Sequence, residues 1–347
     1  MRILIIRFSA LGDVVLIIPV IRELLRNNPK AQIFILTNSR FSPVFQNLEN
    51  VHVLPFNAKR DFAGIIGLFM LFLKLNEYKF DSIIDLHKSL RSRILSFFFT
   101  IKGYKVFSID KGRSMKKKLL GKLTSTTNPL EHTTERYRKV FLNAGYKLQN
   151  LISDSLFSGI VISESEKINI SEKVNYYQSN KKIGLAPFSQ NKLKELPFRK
   201  INELVKCLLN SRDTFIFLFG YGESEMEQMK LIQELDSKRI FISSELFNFR
   251  EELALMSTLS TMITMDSANM HMAELCGCSN VISVWGPTHS AIGFSPFISG
   301  IKNIIEIPVD KLSCRPCSVF GNKPCHRGDH ACMERIEVKS ILEKINN

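Results

Sequence analysis

The sequence predicts an α/β protein built from two Rossmann-like domains with parallel sheets. Three observations carry that prediction. Short apolar runs alternate with amphipathic stretches of helical spacing, the pattern of strands covered by helices on both faces. The alternation runs twice, once before about residue 160 and again after residue 180. The chain also has 347 residues, more than one core usually organises.

The first series opens at residues 2–7, an Ile-rich run of the kind that forms a strand buried on both faces. Gly12 and Asp13 follow, then an amphipathic stretch to Arg26 with Pro29 beyond its end. Further strands are predicted at 33–37, 51–54, 82–86 and 105–109, and helices at 62–77, 90–99 and 131–143. Gly145 supplies the stop for the last helix. Residues 163–178 are polar and charged, with a few apolar residues at helical spacing, and read as a connecting helix or linker. The second series places strands at 182–187, 214–219, 239–242, 261–265 and 281–285. Helices at 201–209, 226–235, 249–258 and 270–276 separate them. The expected domains are therefore 1–160 and 181–347, joined by 161–180.

Hydrophobic residues at 45% and charged residues at 23% exclude a disordered chain. The formal net charge of +14 implies an anionic partner. Lys102, Lys105, Lys111, Arg113, Lys116, Lys117, Lys118 and Lys122 form a basic stretch opposed only by Asp110. It is read either as a solvated face or as a contact for the anionic inner leaflet of a membrane. Nucleic acid is not expected, because no zinc-finger spacing, RNA-binding signature or basic region with heptads is present. The opening residues are no secretory signal, since Arg7 interrupts the apolar run. The longest apolar run, 62–73, is too short to span a bilayer. It reads first as a core helix, with a helix lying in a membrane interface as the alternative. A cytoplasmic protein with reduced thiols follows as the expectation, with Cys207, Cys276 and Cys278 as buried small residues.

In parallel sheets ligands bind beyond the carboxyl ends of the strands, so the loops after strands are the informative ones. The first, residues 9–13, has only Gly12 and lacks the dinucleotide fingerprint, which weighs against nicotinamide and flavin cofactors. Asp13 there is either a helix cap or a general base able to take a proton from a hydroxyl. The second loop carries Ser189, Gln190 and Lys194. These suit the oxygens of a diphosphate, and the lysine suits a departing phosphate; a plain surface loop is the other reading. In the third, Glu223 follows Gly220 and Gly222 and either accepts ribose hydroxyls or opens the next helix. The fourth holds Asp266, Ser267, Ala268 and His271, a carboxylate and hydroxyl beside a helix start that suits phosphate. His271 is either a ligand contact or a core imidazole. The fifth is Gly286-Pro287-Thr288-His289.

Together these residues resemble the bacterial lipopolysaccharide heptosyltransferases, the inverting glycosyltransferases of family 9. The resemblance rests on the opening RxSALGDVV, the IIDLHKSLRS stretch, Lys194 followed by Leu196-Pro197, the MDSANMHMAE block and the closing GPTH. It implies a GT-B architecture, two Rossmann-like domains facing a central cleft, with acceptor on the N-terminal domain and donor on the C-terminal one. By position, Asp13 matches the catalytic base, and Arg91 and His87 fall on the acceptor side. Ser189, Gln190 and Lys194 match the donor diphosphate site, Glu223 the ribose contact, and Asp266, Ser267, Ala268 and His271 the block facing the donor sugar. The resemblance further implies an ADP-sugar donor, typically ADP-heptose, an anionic glycolipid acceptor, no cofactor and no metal. Asp266-Ser267-Ala268 stands where the family often has Asp-Thr-Gly, and Leu196 where it usually has Trp.

The final cysteines run Cys314-x2-Cys317-x7-Cys325-x6-Cys332, with His326 and His330 between them. A structural zinc site, packed free thiols and redox pairing all fit that spacing. Two rivals to the main reading stay open: a transferase of the same fold with another nucleotide sugar, and a non-catalytic basic protein that binds anionic lipid or polymer.

Overall fold

The computed structural model describes residues 1–57, 64–124, 126–148, 159–175, 181–298 and 302–345. It divides into two units, Met1–Lys111 with Thr133–Val161, and Gly112–His132 with Ile162–Asn347.

The first unit is a sheet of five parallel strands, β1 (Arg2–Ile6), β2 (Gln32–Asn38), β3 (Val51–Phe56), β4 (Ser82–Asp85) and β5 (Val106–Ser108). Their order is β3-β2-β1-β4-β5. The chain runs outward from β1 to β3, then returns to the other side of β1. The switch point therefore lies between the carboxyl ends of β1 and β4, where open parallel sheets bind ligands. Ile6 is in register with Asp85, which sets the loop after β1 beside the loop after β4. Helices α1 (Leu11–Val15), α2 (Ile18–Asn27), α3 (Gly64–Asn76) and α4 (Leu90–Ile101) follow the strands. Leu68, Leu71, Phe72 and Leu75 from α3 join Leu95 and Phe99 from α4 in one apolar core against the sheet.

Gly112–His132, which the sequence reading assigns to the first domain, belongs to the second unit and contains α5 (Arg113–Lys118). The reason is tertiary: the Leu130 amide donates to the Ala291 carbonyl at 2.7 Å, the His132 ring stacks on Phe297, and the Lys116 ammonium lies 3.7 Å from the Phe294 ring centroid. The basic stretch is thus divided between units, and Lys116 is buried rather than solvated. The helix expected from Glu131 begins later, as α6 (Thr133–Asn143) of the first unit.

The expected linker contains α7 (Glu164–Asn175), grouped with the second unit; residues 176–178 of that expectation lie outside the described ones, as do Phe62 and Ala63 of the expected apolar helix. Glu166 of α7 takes a bidentate contact from Arg250, at 2.6 and 2.9 Å.

The second sheet holds six parallel strands, β6 (Lys181–Ala186), β7 (Thr214–Leu218), β8 (Ile240–Ile242), β9 (Thr261–Met265), β10 (Val281–Trp285) and β11 (Ile304–Glu306). The order β11-β10-β9-β6-β7-β8 places the switch point between β6 and β9. Between them run α8 (Phe198–Leu209), α9 (Glu223–Gln233), α10 (Ser243–Leu246), α11 (Phe249–Thr258) and α12 (Ala268–Cys276), with α13 (Ala331–Glu334) and α14 (Val338–Ile345) closing the chain. Every residue of β9 and β10 is buried, as expected for central strands covered on both faces. At Gly184 a Cβ would run into the Met262 and Leu259 side chains, so only glycine fits in β6 there.

Candidate functional site

In the first unit the switch point is organised around a buried cation. Arg7 follows β1 directly, is 6% exposed, and donates from Nη1 to the Leu86 carbonyl at 2.6 Å. Its Nη2 pairs with Oδ2 of Asp13, a carboxylate whose side chain is 28% exposed. Burial opposes the charge on Arg7, but Tyr137, Asp13 and Asp85 around it leave its pKa raised. The Tyr137 hydroxyl, wholly buried, donates to the Asp13 carbonyl at 3.0 Å and fixes the backbone of α1. Asp13 is not a cap: Ala10 holds that position, without a side-chain cap bond, and Asp13 lies within the first turn. Arg7 thus engages Oδ2 of Asp13 rather than Oδ1.

The loop after β4 completes this end of the sheet. Asp85, fully buried, accepts the His87 and Lys88 amides at 2.9 and 2.8 Å and so folds the turn. Ser89 and Ser92 close a reciprocal capping box that starts α4. His87 accepts the Phe8 amide on Nδ1 at 3.2 Å, which leaves its proton on Nε2. Burial, followed by the charges of Arg7 and Lys111, pushes this imidazole down to about 3, so it is neutral at pH 7. His87 and Arg91 line one cavity of about 440 Å³ with Phe8, Ser9, Asn38 and Ser89. The two expected acceptor residues thus share a cavity, with a neutral donor at one and a cation at the other.

In the second unit the switch point carries a polar cluster. The Lys194 ammonium donates to the Asp266 carbonyl at 2.5 Å and pairs with Asp266 Oδ2 at 3.1 Å. Thr288 donates to the same Oδ2 at 2.8 Å, and Ser189 Oγ to the Asp266 carbonyl at 3.4 Å. Ser267 holds the N-cap position of α12, its hydroxyl 3.1 Å from that of Thr264, and Ala268 is the first residue of the helix. Four of the expected donor residues, Ser189, Lys194, Asp266 and Ser267, thus gather at the ends of β6 and β9. Gln190 is exposed, and Glu223 is exposed as the first residue of α9. Among the described residues no hydrogen bond ties either to the cluster. His271 is buried on α12. It lies close enough that its charge, after burial, helps push His132 down to about 4.

His132 and Thr288 had no assigned role from the sequence, and Arg315 had none at all. Arg315 is fully buried and donates from Nε to the Gly286 carbonyl at 2.6 Å. Its Nη2 reaches the Thr288 carbonyl and Glu306, both at 3.0 Å, and Nη1 reaches the Ile307 carbonyl. The Cys317 and Ser318 amides both donate to the Pro287 carbonyl. The C-terminal segment therefore clamps the loop whose Thr288 holds Asp266. It also covers Lys194: a Cβ on Gly321, at φ +71°, would run into the Lys194 chain. The four cysteines of this segment are free thiols. Among the described residues no group of three or more His, Cys, Asp or Glu side chains is placed to hold a metal ion. Burial pushes the thiols of Cys317 and Cys332 up, the latter to about 11.

Arg315→Met is expected to destabilise the protein by about 3–5 kcal/mol, because it leaves several carbonyls and the partly buried Glu306 without the fully buried cation that joins them. Arg315→Lys should recover little, since an ammonium cannot reproduce the fork. Denaturant titrations of both variants measure this, and a loss below about 1 kcal/mol would remove Arg315 as the clamp.

A model of the family described as Glycosyltransferase family 9 (heptosyltransferase) matches residues 68–319. The chain is 22% identical to lipopolysaccharide heptosyltransferase 1 of Campylobacter coli, over 99% of this chain and 98% of that one. Among solved structures it is similar to the E. coli ADP-heptose lipopolysaccharide heptosyltransferase II, with a TM-score of 0.72 at 20% identity, covering 100% of this chain and 98% of that one. It is also similar to the E. coli heptosyltransferase WaaC solved with ADP-2-deoxy-2-fluoro heptose, with a TM-score of 0.64 at 18% identity over 91% and 97% of the chains. These likenesses agree with two parallel-sheet α/β units.

Proposed function

The chain belongs to glycosyltransferase family 9, and from that premise we propose that it transfers a heptose, with inversion, from an ADP-sugar to a lipopolysaccharide-type glycolipid. The observation that carries the reading is the placement of charge: each sheet presents a carboxylate–cation pair at its own switch point, Asp13 with Arg7 and Asp266 with Lys194. The name of one structural relative includes an ADP-heptose analogue, which supports an ADP-sugar donor here.

In this reading Asp13 Oδ1 takes the proton of the acceptor hydroxyl as its oxygen attacks the anomeric carbon. The bond to the nucleotide diphosphate breaks in the same displacement. Lys194, with the polar groups around Ser189 and Ser267, meets the charge that develops on the leaving phosphate. A single displacement without a covalent nucleophile inverts the anomeric centre. Lys194 supplies the positive charge that a metal provides in other transferases, so the reaction calls for none. His87 and Arg91 orient the acceptor, the first as a donor whose protonation does not change near neutrality and the second as a cation for its phosphate or carboxylate. The acceptor places the enzyme in the cytoplasm, at the inner face of the inner membrane.

ADP or an ADP-sugar at a hundredfold excess over its Kd is expected to stabilise the fold by about 2.7 kcal/mol. NAD and NADP should not. A thermal-shift series over nucleotide diphosphates and their sugars tests this, and equal shifts from NAD and ADP, or none from any nucleotide, would overturn the donor site.

A further inference from the structure

A helix that is apolar all round is normally buried all round. α3 is not. Leu68, Leu71, Phe72 and Leu75 face the core, while Ile65, Ile66, Phe69, Met70 and Leu73 are exposed, Ile66 at 80% and Met70 at 57%. At 100° per residue those five fall on one continuous stripe opposite the buried side. α4 adds Phe97, 58% exposed, and Ile101, 70% exposed. The two helices touch through Phe69–Phe98 and Phe72–Phe99, at ring centroid distances of 5.4 and 5.1 Å, so their exposed apolar residues belong to one surface. Contiguous apolar surface of this kind marks a contact with something else.

The charges say what. Neither helix contains an aspartate or a glutamate, whereas Lys74, Arg91 and Arg93 are exposed on them; just beyond their ends lie Glu77 after α3 and Lys102 and Lys105 after α4, which leaves an excess of cations. We propose that this face of α3 and α4 seats the first unit on an anionic lipid surface. Both helices are too short to span a bilayer, and their composition is that of helices lying in the interface plane, apolar residues among the acyl chains and cations at the headgroups. A second copy of the chain is a poorer occupant. An isologous contact would set these cations against themselves with no carboxylate on either helix to answer them. The face thus takes in Lys102 and Lys105 from the start of the 102–122 stretch, whose residues from Arg113 on belong to the second unit. Leu90 and Arg91 at the start of α4 also line the His87 cavity. This face therefore lets a glycolipid keep its acyl chains in the leaflet while its sugars enter the cavity, a consequence that rests on the function proposed above.

The test is flotation of the full chain with vesicles of phosphatidylglycerol and phosphatidylcholine in equal parts, and with phosphatidylcholine alone. The parent should float with the anionic vesicles, less so as salt rises, and weakly with the neutral ones. Ile66→Asp/Met70→Asp/Phe97→Asp changes only exposed side chains. It should reduce binding at least tenfold while keeping the parent melting temperature and the parent rate on a water-soluble acceptor fragment. A variant that floats like the parent overturns the proposal, as does a parent that ignores anionic vesicles. So does a parent that dimerises with concentration and is made monomeric by the variant, which would give the face to a second copy. The ADP thermal shift of parent and variant is the separate readout for the donor site. Vesicle binding without that shift supports the face and defeats only the function it was joined to.

Discussion

Asp13→Asn is expected to lower sugar transfer by roughly 10²- to 10⁴-fold, the usual contribution of a general base, in a protein that stays folded and still responds to ADP. Asn keeps an oxygen for the Arg7 guanidinium, so the exchange removes charge and proton affinity more than contact. A cost of about 1–2 kcal/mol in stability is expected, that of one weakened charge-assisted hydrogen bond. Asp13→Ala should cost more, because it takes the carboxylate partner from Arg7, 6% exposed, and leaves the guanidinium its Leu86 carbonyl and the nearby Tyr137 and Asp85. Breaking a fully buried pair costs about 3–5 kcal/mol; Asp13 is 28% exposed, and water screens part of that loss. A helix-cap role is already out, since Ala10 holds the cap. The two variants therefore separate a base from an anchor for Arg7. An anchor predicts a stability loss in Ala with near-parent turnover in Asn. Should Asp13→Asn transfer sugar at close to the parent rate, the proton must go elsewhere.

How much of this was legible in the sequence depended on whether the determining contacts were local. Thr261–Met265 and Val281–Trp285 are strands with the bounds read from sequence, because a strand buried on both faces shows a mostly apolar run, here broken only by the small hydroxyls of Thr264 and Ser283. Asn248 caps Phe249–Thr258 with its own side chain, a local signal, and that helix too has the expected bounds. The loops after β1, β6 and β9 were candidates because ligands bind beyond the carboxyl ends of parallel strands; which of them lie at a switch point needed the strand order. The unreadable parts depend on distant partners. Nothing near Lys116 says that its chain lies over Phe294, 178 residues on. Arg7 registers in sequence as an interruption of an apolar run, yet it is the group that holds Asp13. Arg315 sits between cysteines that draw attention to thiol chemistry, while the guanidinium makes the contacts that hold the Thr288 loop. For α3, apolar residues on every side of the helix could not say which side would be left bare.

Lys194→Met carries the other large expected effect. The ammonium touches both the carbonyl and the carboxylate of Asp266, and the two side chains are 12% and 13% exposed. Removing it should cost stability, by less than the about 3–5 kcal/mol of a fully buried pair, because Thr288 still donates to the carboxylate. That loss is expected whether or not Lys194 meets the leaving phosphate, so melting alone decides nothing. The catalytic reading adds two results at temperatures well below the transition. Transfer should fall about 10²- to 10³-fold, the scale on which one preorganised donor at developing charge contributes, and ADP should stabilise the variant less than the parent. Lys194→Arg keeps the charge on a wider head under the Gly321 turn, where a Cβ already has no room. It should regain part of the ADP shift and less of the rate, since the fork cannot sit where a point charge does. If Lys194→Met melts early yet transfers sugar within a fewfold of the parent and keeps the full ADP shift, the lysine is a brace for Asp266. The leaving phosphate would then need another cation.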